Sequence, residues 1–271
     1  MAHKIKKEAK VLSQQVIAEG IYDVWLETEI AKDVVPGQFV GVYPVNKATL
    51  LPRPISVCEV DIDRAAIRLV YRVVGSGTAE FALYQPGDYM MILGPLGNGF
   101  PLDNAAGKRV VLMGGGIGVP PLLETAKRLN ALEKTRENEN TAPKSVSAVM
   151  GYRDSETFLS EIFEKYSKLY IASDDGSAGT KGNVIDALRA NDIECDVIFA
   201  CGPMPMLKGI KAYAQEKGIK AYLSLEERMA CGVGACLGCI CKTRDVDEHS
   251  QVHNARICTD GPVFDADVLD M

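Results

Sequence analysis

The chain is poor in the features that mark several large classes of protein. Among its 271 residues are three histidines and one tryptophan, and aromatic residues make up 7%. No run approaches the about 18 apolar residues of a membrane-spanning helix. The opening MAHKIKKEAK is basic but has no apolar core of the kind a signal peptide needs. The expectation is a cytoplasmic chain. Charge of one sign is scarce too: 30 basic residues oppose 36 acidic ones, a net −6, which gives no electrostatic footprint for nucleic acid. There is no internal repeat, no Ser-His-Asp set and no convincing general acid–base pair. His3, His249 and His253 lie in polar contexts near the ends and read as surface residues. What remains, with 47% hydrophobic and 24% charged residues, is an ordinary folded composition, long enough for two domains and a small third.

Cysteine is unevenly placed. Cys58, Cys195 and Cys201 are scattered, whereas Cys231, Cys236, Cys239, Cys241 and Cys258 crowd the end of the chain. In a reducing cytosol such a cluster binds metal or does redox chemistry more often than it forms disulfides. Cys231 to Cys236 is C-x4-C, Cys236 to Cys239 is C-x2-C, and Cys258 follows after 18 intervening residues. This is the plant-type spacing of a [2Fe-2S] cluster, with Cys231, Cys236, Cys239 and Cys258 as the metal ligands. Gly232, Gly234 and Gly238 let such a loop wrap tightly and aim backbone N–H groups at the sulfurs. A zinc site is the rival, but zinc favours paired C-x2-C units at two places and only one such pair exists here. Cys241, one residue from Cys239 in extended backbone, points the other way and is left out.

The rest of the chain divides by rhythm. Residues 1–103 carry short β-rich runs, AKVLSQQVIA, IYDVWLET, QFVGVYP, ISVCEV, AIRLVYRVV and DYMMILG, punctuated by Pro-Gly pairs, the pattern of a small antiparallel barrel. GPLGNGFPLD, with three glycines and two prolines, reads as a linker. Residues 104–225 alternate apolar strands with amphipathic helices, among them VPPLLETAKRLNALE, SETFLSEIFEKY and MLKGIKAYAQEKG. That predicts a parallel sheet covered on both faces. KTRENENTAPK reads as a solvated loop. Residues 226–271 have too little apolar periodicity for their own core, so an inorganic cofactor is their expected organiser.

Two segments of the predicted barrel suggest a dinucleotide. Arg53 is held between prolines in LPRPISV, and a guanidinium is a natural partner for pyrophosphate. Gly75, Gly77 and Thr78 precede a short helix and could supply anion-binding donors. Read alone, the first is also a surface arginine in a Pro-rich turn and the second an ordinary hairpin. Gly114, Gly115, Gly116 and Gly118 form a strand-to-helix turn of the kind that approaches a nucleotide pyrophosphate, or a helix start that needs glycines for packing. Cys201 and Gly202, in CGPM after the strand DVIFA, sit at the carboxyl edge of the predicted sheet. Asp174 and Asp175 share that edge and disfavour a 2′-phosphate, which leans the choice toward NAD.

The ordered set R-P-x-S, Y-x-x-x-G-x-G-T, GGGIG-x-x-P, DDGSxGTKG, CGPxxM and C-G-x-G-x-C-x-x-C…C-x-D-G-P-V-F resembles the electron-transfer subunits of class B dihydroorotate dehydrogenases, within the ferredoxin-NADP reductase superfamily. The resemblance covers nearly the whole chain. It implies FAD on Arg53, Pro54, Ile55, Ser56, Val70, Tyr71, Arg72, Gly77 and Thr78, NAD on the α/β domain, and a [2Fe-2S] cluster at the C-terminus. It also implies a dihydroorotate-oxidising flavoprotein partner in a hetero-oligomer, two of each subunit, serving pyrimidine biosynthesis. Electrons would pass from that partner through the cluster and FAD to NAD+. Many reductases have a tyrosine where Ile55 stands, so Tyr71 or another aromatic would have to stack on the flavin instead. A related subunit of a NADH-dependent ferredoxin:NADP transhydrogenase or of a sulfide dehydrogenase shares all the motifs, and a zinc-stabilised adaptor is a reading from a different class.

Overall fold

The computed structural model describes residues 4–46, 48–135, 142–246 and 251–271. The six β-rich runs form β1 (Ile5–Ala18), β2 (Ile21–Glu27), β3 (Phe39–Tyr43), β4 (Arg53–Asp61), β5 (Ala66–Arg72) and, after the short helix α1 (Ser76–Phe81), β6 (Tyr89–Leu96). They close into an antiparallel barrel in the order β1-β2-β5-β4-β3-β6. Closure pairs the strands around the ring, and the interior is filled by branched aliphatics such as Val11, Val24, Leu26, Ile67 and Leu69, all buried. The segment GPLGNGFPLD is not a free linker. Gly94 to Leu96 complete β6, and Asn98 pairs with Pro262 of the C-terminal segment. Glycine and proline there serve close packing, a use that composition alone does not distinguish from slack.

The strand-and-helix region gives β7 (Arg109–Gly115), α2 (Pro121–Thr135), β8 (Ser145–Tyr152), α3 (Ser160–Phe163), β9 (Lys168–Ser173), β10 (Thr180–Lys181), α4 (Val184–Ala190), β11 (Val197–Cys201), α5 (Met204–Lys217) and β12 (Lys220–Ser224). Adjacent strands are parallel in the order β10-β9-β8-β7-β11-β12. Their near-continuous apolar runs reflect burial on both faces. The helix expected over SETFLSEIFEKY shrinks to the single turn α3. Leu159 sits at φ +68°, in the left-handed region, and a right-handed helix cannot continue through such a residue. The polar stretch after α2 falls largely on residues 136–141, outside the described residues.

The C-terminal segment contributes a small hairpin, β13 (Ile240–Lys242) and β14 (Asn254–Arg256), and then β15 (Val263–Asp265). β15 adds itself antiparallel to β12, so this segment supplies the seventh and edge strand of the nucleotide-type sheet. Its buried residues Cys239, Ile257, Cys258 and Phe264 pack in one cluster with Phe39 and Leu96 of the barrel and Leu223 of the sheet. On α5, the Lys211 ammonium donates to the Leu269 carbonyl and ties down the chain end. No helix among the described residues is long and apolar enough to cross a membrane.

Candidate functional site

A cavity of about 950 Å3 opens where the barrel, the carboxyl edge of the sheet and the C-terminal segment meet. That is a size suited to a large organic cofactor. Of the residues expected to hold FAD, Arg53, Pro54, Ile55, Ser56, Val70, Tyr71, Arg72 and Thr78 line it. β4 and β5 are neighbours in the barrel, which is why two segments separated in sequence share a wall. Gly118, Cys201 and Gly202 line the opposite side, from the turns after β7 and β11.

Arg53 is braced from two directions. Its guanidinium donates to the Leu51 carbonyl and lies flat against Gly77, where a Cβ would come 2.7 Å from Nε. A side chain at position 77 would therefore make the Arg53 guanidinium shift. Gly77 itself stands behind the arginine rather than on the wall. The Thr78 hydroxyl, expected as an anion contact, is occupied within its own loop: it accepts from Val74 N (2.9 Å) and Gly75 N (3.3 Å) and donates to Gly75 O (3.1 Å).

Tyr71 does not supply a free stacking face. Its ring is 3% exposed, stacked on Tyr22 at 5.7 Å and set edge-on to Phe81, and its hydroxyl donates to Gln14 at 3.2 Å. Burial raises its phenol above the ordinary tyrosine range. Tyr71 thus reaches the cavity wall with a ring largely taken up by Tyr22 and Phe81. Phe39 is the other aromatic residue on the described wall.

The glycine turn divides. Gly114 and Gly115 lie off the cavity wall, and a Cβ on either would strike Met150, Val119 or Met206, so they serve the packing of β7 under its helices. Gly116, at φ +54°, faces open space and makes the turn. Gly118 sits against the Cys201 carbonyl with no room for a side chain, which brings the turns after β7 and β11 into contact. Burial pushes the Cys201 thiol up to about 12, with the Ser224 hydroxyl pulling back and the Glu226 carboxylate adding to the rise. It is a protonated thiol at neutral pH and no nucleophile.

The cysteine loop gathers its thiols in two pairs. Burial alone would raise Cys231. N–H groups of Val233, Cys236 and Ala235, with the Cys236 thiol, outweigh it and hold Cys231 down to about 6, the Val233 amide lying 3.4 Å from the sulfur. Cys239 and Cys258 are both buried and hydrogen-bond to each other. Burial, then the Cys239 neighbour, push Cys258 up to about 12, while the Gly234 N–H pulls the other way. Gly232 and Gly234 adopt φ +68° and +83°, the left-handed conformation that lets the loop close around these sulfurs. Among the described residues no three metal-ligating groups gather closely enough to hold one ion. Two adjacent thiol pairs suit a diiron cluster, which takes two thiolates on each iron. Cys241 lies on β13 opposite Ala255, outside both pairs, and burial raises it to about 11.

Several wall residues went unnoticed in the sequence: Phe39, the 48–51 loop, Leu225 to Met229, and Pro262. The run from Leu225 to Met229 leads directly into Cys231, so the cavity and the thiol loop are joined by one short span of chain. Only the position of this span, between the last parallel strand and the first cluster cysteine, could have signalled it. Of the histidines, His253 holds the Arg244 carbonyl through Nδ1 at 2.8 Å, away from the cavity. His3 and His249 lie outside the described residues.

A closed antiparallel barrel, a parallel nucleotide-type sheet, one cavity between them and a four-cysteine loop define an electron-transfer protein of the ferredoxin-NADP reductase type. Residues 226–270 match the model of the "iron-sulfur cluster binding domain of dihydroorotate dehydrogenase B". The chain is 43% identical over 265 residues to the dihydroorotate dehydrogenase B (NAD(+)) electron transfer subunit of Bacillus caldolyticus, covering 96% of this chain and 97% of that one. It is 42% identical to the same subunit of Geobacillus kaustophilus over the same shares. A solved NADH-dependent reduced ferredoxin-NADP oxidoreductase superposes with a TM-score of 0.82 at 30% identity, covering 100% of this chain and 91% of that one. The chain belongs to the family of dihydroorotate dehydrogenase B electron transfer subunits.

Proposed function

We propose that this chain carries electrons between a dihydroorotate-oxidising flavoprotein subunit and NAD+, with FAD in the large cavity and a [2Fe-2S] cluster on Cys231, Cys236, Cys239 and Cys258. The observation that carries this reading is the single cavity walled at once by the barrel, by the turns after β7 and β11, and by the span leading into the thiol loop. Bound FAD supplies the exchange between two-electron hydride chemistry and one-electron transfer.

The protein's own groups bind and orient. Arg53, fixed by Leu51 and Gly77, presents its guanidinium to the pyrophosphate, and Pro54 to Ser56 with Val70 to Arg72 shape the flavin side. Gly116, Gly118, Cys201 and Gly202 receive the nicotinamide nucleotide, while Gly114 and Gly115 hold the strand beneath it. Asp174 and Asp175 at the sheet edge disfavour a 2′-phosphate and select NAD. The chain divides at about residues 103 and 225 into FAD, NAD and cluster domains, works in the cytoplasm, and assembles with its partner as two copies of each.

The test is spectroscopic and compositional. The purified chain should show flavin and [2Fe-2S] absorption, and Cys236→Ser should lose the cluster while NADH still bleaches the flavin. A colourless protein, or a normal cluster EPR signal in Cys236→Ser, contradicts the reading. The likeness to the ferredoxin-NADP oxidoreductase supports a second reading in which ferredoxin and NADP replace the dihydroorotate partner. Purification from the native host separates the two by which protein accompanies the chain.

A further inference from the structure

The turn that follows Cys258 is held against the barrel by a clasp with no assigned role. Gln38, 7% exposed, donates its amide to the Gly97 carbonyl at 2.7 Å. Gly97 adopts φ +74° and packs so tightly on Pro262 that a Cβ has no space. The next residue, Asn98, donates its side-chain amide to the Thr259 carbonyl (3.1 Å) and the Asp260 carbonyl (3.0 Å), and its backbone N–H to Gly261 O at 2.6 Å. From the other side Leu225 N donates to Pro262 O at 2.8 Å. Every carbonyl from Thr259 to Pro262 is thus gripped.

The clasp lies between the two proposed cofactor positions. Pro262 and Phe39, adjacent to Gln38, line the cavity. Phe39 and Leu96 pack in the same core cluster as Cys239 and Cys258, and Leu96 also lies beneath Gly232. The barrel contributes no other side-chain amide to this turn among the hydrogen bonds between described residues.

We propose that Asn98, aimed by the Gln38–Gly97 contact, is a positioning residue that sets the separation between the cavity and the thiol loop, and with it the rate of electron transfer between them. This rests on the cofactor assignment above. Asn98 does not itself line the cavity and meets the wall only through its backbone pairing with Pro262. Losing its two donors frees the turn to move, and electron transfer slows as its donor and acceptor separate.

The experiment mixes holoprotein with NADH in a stopped-flow spectrometer and follows flavin and cluster bleaching separately, for Asn98→Ala, Asn98→Asp and Asn98→Gln. Flavin bleaching should keep its wild-type rate in all three. Cluster bleaching should slow several-fold in Asn98→Ala and at least as much in Asn98→Asp, whose carboxylate repels both carbonyls, and Asn98→Gln should recover most of the rate. Amide hydrogen exchange at residues 98 and 225 should quicken in Asn98→Ala, while the EPR signal of the dithionite-reduced cluster stays unchanged. Cluster bleaching at the wild-type rate in Asn98→Ala, or flavin bleaching slowed by the same factor, overturns the proposal. A wild-type protein lacking flavin or cluster absorption overturns the cofactor assignment and this proposal with it.

Discussion

The barrel and the C-terminal segment reach order by opposite routes. The barrel closes on itself and fills its interior with aliphatic side chains near zero exposure. The C-terminal segment has strands of three residues and leaves Val233, Leu237, Ile240, Val246 and Val252 more than 40% exposed. Its buried residues belong to a core shared with the sheet and the barrel. Closure around an aliphatic interior suffices for the first, whereas the second depends on borrowed packing, on β15 joining the sheet and, under the proposed function, on the ligation of its thiols. The difference teaches that removing one sulfur should disturb the C-terminal segment far more than removing one methylene disturbs the barrel.

The sharpest way to break that contrast is Cys258→Ser. Cluster absorption should vanish, and hydrogen exchange across residues 228–260 should rise to that of an open loop while the barrel strands keep their protection. Protection that persists through residues 228–260 would mean that borrowed packing alone holds the segment. Next in size is Arg53→Ala. Losing a charged hydrogen bond of about 1.5–3 kcal/mol should weaken FAD binding about 10- to 100-fold, read as flavin retained after dialysis, with the cluster untouched.

A third change addresses the seam between barrel and sheet. Past Ser56 strand β4 no longer pairs with β3, and α2 covers its free edge. Glu124, 1% exposed, accepts from Val60 N at 3.0 Å and from Arg128 at 2.6 Å, and Lys127 donates to Val60 O at 2.9 Å. Glu124→Ala should cost about 1–3 kcal/mol by leaving the Val60 N–H buried and unmet, measured by urea unfolding. Gly97→Ala should cost about 1–2 kcal/mol from its left-handed backbone, and its close fit to Pro262 and Phe39 should add to the loss. The smallest effect belongs to Asp196, which the Arg109 guanidinium holds down to about 2. Because the folded pKa is depressed, this contribution is present at neutral pH and fades as pH falls from the free-carboxylate value of about 4 toward about 2. The stability gap between Asp196→Asn and the parent should therefore be widest near pH 7 and close in acid.

Much of this was legible beforehand, for identifiable reasons. Short β-rich runs punctuated by Pro-Gly pairs disclosed the barrel, apolar runs alternating with helices disclosed the parallel sheet, and C-x4-C-x2-C marked the thiol loop. Long-range placement was not legible. Nothing local in GPLGNGFPLD says that Gly97 and Asn98 grip residues 259–262, and nothing in PVFD says that it becomes the seventh strand of a distant sheet. The packing of Tyr71 on Tyr22 and Phe81 was not legible either, because it depends on which neighbours flank β5 rather than on its own motif.

The central claim is that electrons from dihydroorotate reach NAD+ through this chain. The direct measurement reconstitutes the holoprotein with the dihydroorotate-oxidising subunit from the same cell and follows NADH formation after adding dihydroorotate and NAD+. NADH should appear only when both subunits are present and should be lost with Cys258→Ser. Dihydroorotate-dependent NADH formation at an undiminished rate in Cys258→Ser, or none with the intact pair, would contradict the account.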